Sequence, residues 1–258
     1  MTPDVLSERD GGIATITLFN PGKLNALNAA MWRRLAEVFR TLDADESLRC
    51  VVVRGEGAAF AAGGDLVEMQ TARADIDGAL AYHEQVAAAL DAIAGCRHPV
   101  VAAIRGPCVG GGLEIACACD LRIAGESARF GAPINRLGFS MYPGELAGLL
   151  PLAGPAVVKE ILLEGRLLTA QEAYDKGLLT RVVADAGLDA ETAATVQRIA
   201  AGAPLVARWH KQWIARLLDG RPLTAAEKRA SFAFLESADY REGLAAFLDK
   251  RPPHFTGQ

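Results

Sequence analysis

The sequence predicts an α/β fold with a helical C-terminal region. Strand-like and helix-like segments alternate through the first two-thirds of the 258 residues, and helical periodicity dominates the last third. No repeat or low-complexity linker divides the chain, so we expect an α/β core over residues 1–200 and a helical region over residues 201–258. With 51% hydrophobic and 22% charged residues, the chain can bury a sizeable core.

The N-terminal elements are indicated by apolar periodicity and by a helix cap. Alternating apolar residues predict a strand over residues 13–18, and a short apolar run predicts a buried strand over residues 50–54. Between them, Asn28 is a suitable N-cap for a helix. The apolar residues of that helix recur at helical spacing and are Met31, Leu35, Val38, Phe39 and Leu42. A long helix is expected over residues 79–96, because the residue before Pro99 disfavours helical backbone.

The later elements follow by the same reasoning. Residues 99–104 and 120–125 predict strands, and the three glycines Gly110–Gly112 predict a turn that leads into a helix. After about Pro143 the chain is expected to become mainly helical, with Thr169 as the N-cap of a short helix that a glycine ends. Further helices are predicted over residues 189–202, 204–219, 224–237 and 239–250.

Charge and cysteine content exclude several classes of function. The net charge of −4 provides no basic field for binding nucleic acid. The acidic N-terminus does not resemble a signal peptide, and no uninterrupted apolar run approaches the roughly 20 residues that span a bilayer, so we expect no membrane partner. The five cysteines are odd in number and lack metal-site spacing. They predict reduced, buried thiols in a cytoplasmic protein without a metal site.

Two glycine-rich loops, each between a strand and a helix, are the candidate functional motifs. Nucleotide binding is the first reading to test, because Gly55 and Gly57 resemble the start of a dinucleotide fingerprint. Phe60 occupies the third glycine position, however, where its ring would block close packing of helix and strand. The GGGLE segment lacks the Lys and Ser/Thr of a phosphate-binding loop. Both nucleotide-binding readings are therefore disfavoured.

An oxyanion hole beside an acid–base residue fits the two loops better. The AAGGD loop (61–65) and the triple glycine could each direct one backbone N–H at the same oxygen. Glu114 would then lie about one turn into the helix that starts at Gly111, near the carbon next to the polarised carbonyl. Taken alone, the triple glycine is equally compatible with a tight turn, and Glu114 with stabilisation of the helix N-terminus.

Several segments together resemble the enoyl-CoA hydratase/isomerase family, the crotonase superfamily. The most specific of them are FAAGGDL (60–66) and the PVVAAIRGPCVGGGLEIACACD segment (99–120). The others are FNPGKLNALN (19–28), ARFGAPINRLG (128–138), LTAQEAYDKGLLTRVV (168–183) and YREGLAAFLDKRPPHF (240–255). The resemblance covers nearly the whole chain.

The resemblance implies a spiral of ββα units, with residues 201–258 as a trimerisation region. Members usually form homotrimers or dimers of trimers and bind acyl-CoA thioesters, whose enolate an oxyanion hole stabilises. Coenzyme A then enters as part of the substrate, and no separate cofactor is implied. Matched by position, the oxyanion donors are the N–H groups of Gly64 and Gly111, and the first catalytic glutamate is Glu114.

The resemblance also assigns the residues that contact the substrate and its CoA group. They are Lys23, Leu24, Ala26, Ala62, Gly63, Asp65, Leu66, Gly110, Pro133, Ile134, Phe247 and Lys250. Of these, Phe247 and Lys250 resemble positions that reach CoA from the same or a neighbouring subunit. For Lys23, a solvated loop lysine is the alternative reading.

One position departs from the family pattern in a way that affects the chemistry. Hydratases of the family carry a second glutamate in an FGxPE pattern, and this chain has Ile134 there. Three outcomes stay open: Glu145 reaches back into the site, Asn135 orients a water or carbonyl, or Glu114 works alone. The reading favoured for Glu145 is that it stabilises the N-terminus of the next helix. The missing glutamate argues mildly against isomerisation.

Other polar side chains receive weaker predictions. The four histidines (His83, His98, His210 and His254) match no catalytic position, and surface or packing roles are expected for all of them. Tyr142 is a candidate for lining the acyl pocket. The favoured function is enoyl-CoA hydratase. The alternatives are a hydrolase, decarboxylase or isomerase acting on another acyl-CoA, and a non-catalytic acyl-CoA-binding protein, which would not require Glu114 beside an oxyanion hole.

Overall fold

A computed structural model describes residues 2–258, and it contains two β-sheets surrounded by helices. The strands are β1 Asp4–Asp10, β2 Ile13–Phe19, β3 Cys50–Gly55, β4 Val100–Ile104, β5 Pro107–Val109, β6 Leu121–Gly125, β7 Arg129–Gly131, β8 Leu168–Thr169 and β9 Arg181–Val183. The helices are α1 Ala29–Ala44, α2 Leu66–Ala72, α3 Ile76–Ala94, α4 Gly111–Ala118, α5 Leu146–Glu164, α6 Ala170–Asp175, α7 Leu188–Ala200, α8 Pro204–Leu218, α9 Ala225–Ala230 and α10 Ala238–Leu248. Short 3₁₀ segments cover Pro133–Leu137, Pro143–Glu145, Asp185–Gly187 and Ala233–Glu236.

The large sheet has six strands in the order β1-β2-β3-β4-β6-β9. Only β1 and β2 pair antiparallel, and every later neighbour is parallel. The small sheet has the order β5-β7-β8, in which β5 and β7 are parallel and β7 and β8 are antiparallel. Strands β3 and β4 are buried almost throughout, as expected when helices cover a parallel sheet.

Successive turns of the chain repeat one pattern, which confirms the predicted spiral of ββα units. A strand of the large sheet is followed by a short extended segment at the small sheet and then by a helix, as in β4-β5-α4 and β6-β7-α5. The preceding turn has the same plan, because Ala61 after β3 forms a parallel bridge with Cys108 in β5. The extended segments of neighbouring turns therefore lie side by side, just before their helices begin.

Most predicted elements are confirmed, and the differences have local causes. Strand β1 was not predicted because only Val5 in it is buried, so its edge position leaves no apolar alternation to recognise. The short strands β5, β7 and β8 are too brief to show a period. The single helix expected over residues 224–237 is divided into α9 and the 3₁₀ segment Ala233–Glu236.

Helix α1 connects the cap prediction to the site. The Asn28 side chain accepts a hydrogen bond from the backbone N–H of Met31 at 2.8 Å, so the predicted N-cap is confirmed. Its apolar face buries Trp32, Leu35 and Phe39 almost completely. This packing places the Trp32 ring against the N-terminus of α4, where the second glycine loop ends.

One helical segment, Pro143–Glu164, has the length and the mean hydropathy, 1.6, of a membrane-spanning helix. The sequence had suggested no such run. Pro151 and Pro155 interrupt the segment, and Gly154 between them has non-helical angles, φ 73° and ψ 163°. The segment is therefore two shorter helices that meet at a kink, and few of its residues are buried.

Candidate active site

The two glycine-rich loops meet in space beside strand β5. The loop 61–65 is tied down by two parallel bridges, Ala61 to Cys108 and Leu27 to Gly64. A Cβ atom placed on Gly63 would lie 3.9 Å from the nitrogen of Gly111, and one placed on Gly110 would lie 3.6 Å from the Cα of Gly63. The loops that the sequence singled out therefore form one wall, with backbone facing backbone.

This wall presents two backbone N–H groups that the fold does not use. Around Gly64, the neighbouring groups are engaged: the Leu27 N–H donates to the Gly63 carbonyl at 2.7 Å, and the Asp65 N–H donates to the Leu27 carbonyl at 2.7 Å. Gly111 is the first residue of α4, where an N–H has no partner within the helix. Among residues 2–258, neither N–H has an acceptor, and both glycines line a cavity. Such donors can stabilise an oxyanion placed between them.

Glycine is required at the joint between the loops. A Cβ atom on Gly112 would come within 2.5 Å of the Ala61 carbonyl oxygen and 2.9 Å of the Ala61 Cβ. Any side chain at that position would push the two loops apart. Gly110 has a φ of +51°, a left-handed value that glycine adopts without strain. The distance between the two free N–H groups therefore depends on the absence of side chains here.

A cavity of about 430 Å³ opens in front of the wall. The cavity is lined by most of the residues that the sequence assigned to the site: Lys23, Ala26, Ala62, Gly63, Gly64, Asp65, Leu66, Gly110, Gly111, Glu114, Pro133, Ile134 and Glu145. Leu24, Phe247 and Lys250 do not line it. Phe247 is 82% exposed, so contact with CoA from a neighbouring subunit stays a prediction.

Glu114 is the acid–base candidate on the cavity floor. It lies one turn into α4, as predicted, and its neighbours in that helix are buried. Burial raises the pKa of Glu114 well above its usual range, the charge of Glu145 raises it further, and Arg73 opposes both effects. A carboxyl group with a raised pKa holds its proton to higher pH than a free glutamate and can act as a proton donor.

Glu145 lies in the same cavity and at the start of α5, so the favoured prediction that its charge stabilises this helix N-terminus stays a prediction. It makes no capping hydrogen bond at the start of α5. Its Oε1 instead lies 2.5 Å from Nδ1 of His83, a buried side chain of α3. The ring of Tyr142 stacks on His83 with centroids 4.7 Å apart and an interplanar angle of 19°. A surface or packing role was expected for His83; the side chain is buried, as a packing role requires, and it also lines the cavity and contacts a carboxylate there.

The position where the family's second glutamate would lie has an apolar environment as well as an apolar residue. Ile134 packs against the hydrophobic core and borders the cavity beside Pro133. Asn135 is turned away, because its Nδ2 donates to the carbonyl of Leu163 at 2.9 Å. The amide of Asn135 is thus used to hold the C-terminus of α5, and the hypothesis that it orients a water or a carbonyl is wrong for this structure.

The mouth of the cavity carries an ion pair. Nζ of Lys23 lies 2.5 Å from Oδ2 of Asp65, and this hydrogen bond holds the pKa of Asp65 below its usual value. The Asp65 carboxylate also caps α2, where it accepts from the N–H of Val67 at 3.1 Å. The pair joins residues 23–26 and 62–66, the two segments that the resemblance assigned to CoA binding.

Several cavity residues were not identified individually from the sequence, among them Met69, Arg73, Tyr82, Phe139 and Met141. They come from the segments 66–95 and 133–150, which are brought together only by folding. No motif marks them, since an apolar or basic residue in a helix is normally part of a core or a solvated face. Within residues 2–258 no group of three His, Cys, Asp or Glu side chains could hold a metal ion, and the five cysteines are free and buried.

Comparison with known proteins gives consistent matches over the full length. A family model described as enoyl-CoA hydratase/isomerase matches residues 8–258. A probable enoyl-CoA hydratase of Mycobacterium bovis is 35% identical over 254 residues, which cover 98% of this chain and 97% of that protein. A probable enoyl-CoA hydratase of Rhizobium meliloti is 36% identical over 256 residues, covering 97% of each.

Solved structures give the same result for the fold. The crystal structure of an enoyl-CoA hydratase/carnithine racemase from Magnetospirillum magneticum is 52% identical, with a TM-score of 0.97 over 98% of this chain and 96% of that chain. A putative enoyl-CoA hydratase/isomerase family protein from Hyphomonas neptunium is 36% identical, with a TM-score of 0.93 over 98% of both chains.

Proposed function

The chain belongs to the enoyl-CoA hydratase/isomerase family, and we propose that it is an enzyme that adds water across the double bond of a 2-enoyl-CoA thioester, or removes it in reverse. The observation that carries this proposal is the second carboxylate of the cavity. Glu145 faces the same space as Glu114, although Ile134 replaces the glutamate of the usual pattern. Hydration needs one group to take a proton from water and another to deliver one to carbon.

The thioester carbonyl would bind between the two glycine loops. Its oxygen accepts from the N–H groups of Gly64 and Gly111, which have no acceptor among residues 2–258. As water attacks C3, negative charge moves onto this oxygen in an enolate, and the two donors stabilise it. The positive end of the α4 dipole acts in the same direction.

The two carboxyl groups then have distinct roles. Glu145, in its ionised form, takes a proton from the water whose oxygen forms the bond to C3. Glu114, whose pKa burial raises, gives its proton to C2 as the enolate returns to the thioester. Water supplies one hydroxyl and one proton in total, because the proton held by Glu145 returns to Glu114 before the next cycle. The difference between the two environments separates the acid from the base.

His83 is a positioning residue in this scheme. Its Nδ1 holds Oε1 of Glu145, and the stacked ring of Tyr142 restricts the imidazole. The second oxygen of Glu145 is thereby directed at the water in the cavity. The 3₁₀ segment that carries Ile134, where the usual glutamate would lie, does not contribute to this. Replacement of His83 by Asn would lower kcat while leaving the affinity for the thioester nearly unchanged.

The first test is turnover of crotonyl-CoA, followed by loss of the enoyl-thioester absorbance. We expect Glu114→Gln and Glu145→Gln each to lower kcat by about 10²–10⁴-fold, the usual contribution of one acid–base group. Both variants should bind a saturated acyl-CoA as well as the parent protein does. Glu84→Gln is the matched control, because Glu84 is exposed on the same helix as His83. Full activity of Glu145→Gln would remove Glu145 from the mechanism.

Hydrolysis of a thioester is the second candidate, and the His83–Glu145 pair favours it. A histidine bonded to a carboxylate can orient and deprotonate water for attack on the carbonyl carbon instead of C3. That reaction releases the free thiol of coenzyme A together with a carboxylic acid. A thiol reagent separates the two functions, since hydration leaves the thioester intact and hydrolysis produces one thiol per turnover.

We further propose that the chain assembles as a homotrimer or a dimer of trimers, with residues 201–258 as the trimerisation region. Three exposed apolar residues on α8 support this: Ile214, Leu217 and Leu218 lie at i, i+3 and i+4 and form one stripe. A cytoplasmic location also remains part of the proposal. It is supported by the five buried free thiols, which are typical of a reducing compartment.

A further inference from the structure

The ionisable side chains that line the cavity are nearly all matched within the protein. Lys23 pairs with Asp65, and His83 contacts Glu145. Glu114 is driven towards its neutral form by burial. This leaves Arg73, whose guanidinium has no carboxylate within 4.0 Å among residues 2–258.

The side chain of Arg73 is held in place by contacts that do not neutralise its charge. It lies at the C-terminus of α2, and its guanidinium carbon lies 4.7 Å from the ring centroid of Phe139, which also lines the cavity. Its Nη1 has one weak contact, to the sulfur of Met69 at 3.7 Å. A guanidinium carries five N–H donors and stays ionised at all relevant pH values. Most of the donors of Arg73 are therefore available to a ligand in the cavity.

Two further buried side chains with polar groups line the same cavity. Trp32 and Tyr82 are 2% and 3% exposed, and the Trp32 side chain lies close enough to the Tyr82 hydroxyl to interact with it. Burial raises the pKa of Tyr82 to about 12, so its hydroxyl keeps its proton. Neither group carries a charge that could neutralise Arg73. The cation of Arg73 is therefore the charge in the cavity that the protein leaves unmatched, and the complementary ligand group is an anion.

We propose that the acyl group of the substrate carries a second carboxylate at its far end, which Arg73 binds, so that the substrate is the CoA monothioester of a dicarboxylic acid. This inference rests on the proposed function, because it places a CoA thioester in the cavity. A planar carboxylate accepts two parallel hydrogen bonds from one guanidinium. The otherwise apolar lining, from Val86, Met141 and Phe139, would contact the intervening carbon chain.

The test compares equilibrium binding of unreactive thioesters, measured by calorimetry. The probes are glutaryl-CoA and adipyl-CoA, each paired with the chain-matched uncharged ester, pentanoyl-CoA or hexanoyl-CoA. We expect at least one dicarboxylic ester to bind about tenfold or more tightly than its partner, as a charge-assisted hydrogen bond provides. Arg73→Met should remove this preference and leave the affinity for the uncharged esters unchanged, which also shows that the variant is folded. Arg136→Met is the matched control, since Arg136 is exposed outside the cavity lining.

The outcomes separate this inference from the proposed function. Equal affinity of the charged and uncharged esters would overturn the dicarboxylate proposal and leave the enzyme an acyl-CoA hydratase. If Arg73→Met lowers the affinity for all four esters equally, Arg73 binds the phosphates of CoA, and the dicarboxylate proposal is overturned as well. If none of the four esters binds, the proposed function fails, and the inference that rests on it fails too.

Discussion

Glu114 shows at the scale of one residue how the site is prepared for catalysis at a cost in stability. In water a glutamate is ionised at neutral pH, whereas burial and the neighbouring Glu145 raise the pKa of Glu114 well above that of a free glutamate. The raised pKa supplies a proton donor. It also means that the folded state resists ionisation of this carboxyl group, which the unfolded chain permits.

The stability of the protein should therefore depend on pH through Glu114. Below the pKa of the unfolded glutamate both states are protonated, and no penalty exists. As the pH rises towards the raised pKa, the unfolded state loses its proton first and becomes relatively more stable. We expect Glu114→Gln to increase the free energy of unfolding, by little at pH 4 and by more at pH 8, in urea titrations. Glu84→Gln provides the baseline, and an effect of Glu114→Gln that is equal at both pH values would contradict the assignment.

The N-terminus of α4 is the element on which the geometry of the site depends. Gly110 to Gly112 provide the turn, the free N–H and the close approach to the loop 61–65. The same backbone lets Ala61 bridge to Cys108 and accept from the N–H of Val109 at 3.0 Å. The donor positions are thus determined by packing between two short elements and not by any side chain that makes a hydrogen bond.

A single methyl group at this joint should separate the loops. In Gly112→Ala the new Cβ would lie 2.5 Å from the Ala61 carbonyl oxygen, so the two segments must move apart. We expect the free energy of unfolding to fall by about 1–3 kcal/mol, which is usual for overpacking, and kcat to fall by up to about 10²-fold. Gly187→Ala is a suitable control, because a Cβ there meets nothing within 4 Å and its φ of −93° suits alanine. Unchanged kcat in Gly112→Ala would show that the spacing of the loops is not critical.

At the scale of the whole molecule, the apolar stripe of α8 is an exposed feature that the single chain does not cover. Ile214, Leu217 and Leu218 are 62%, 57% and 73% exposed. Apolar side chains in a continuous exposed row indicate contact with another protein surface. In the proposed trimer a second copy of the chain would cover them.

Charged residues introduced into this stripe should dissociate the proposed oligomer. We expect the parent protein to sediment at three or six times the mass of one chain, and Leu217→Asp with Leu218→Asp to shift it towards single chains. Burial of an unpaired carboxylate in an apolar interface is the reason. Ile76→Asp controls for surface charge, since Ile76 is 79% exposed at the start of α3 and outside the stripe. A parent protein that sediments as a single chain would refute the trimer.

The sequence by itself determined the local features, because these depend on residues that are close together in the chain. The cap at Asn28, the buried strands β3 and β4, the position of Glu114 in α4 and the membership of the family were all predicted correctly, as was the α/β class. Residues within one strand–turn–helix unit are held by a few backbone angles, so a motif of that length carries its own geometry. The elements missed include the edge strand β1, the two- and three-residue strands, whose pairing is set by distant partners, and the short helix α2.

Only the tertiary structure decided what stands opposite Glu114. His83 and Glu145 are 62 residues apart in sequence and contact each other only because α3 packs beside the 3₁₀ segment Pro143–Glu145. The same packing brings Arg73 and Phe139 together, while Asn135 turns away to the C-terminus of α5. None of these contacts follows from local periodicity, because side chains on separate elements meet according to how whole helices dock. The replacement of one glutamate by Ile134 could be read from the sequence. The residue proposed to compensate for it, Glu145, could be identified only from the fold.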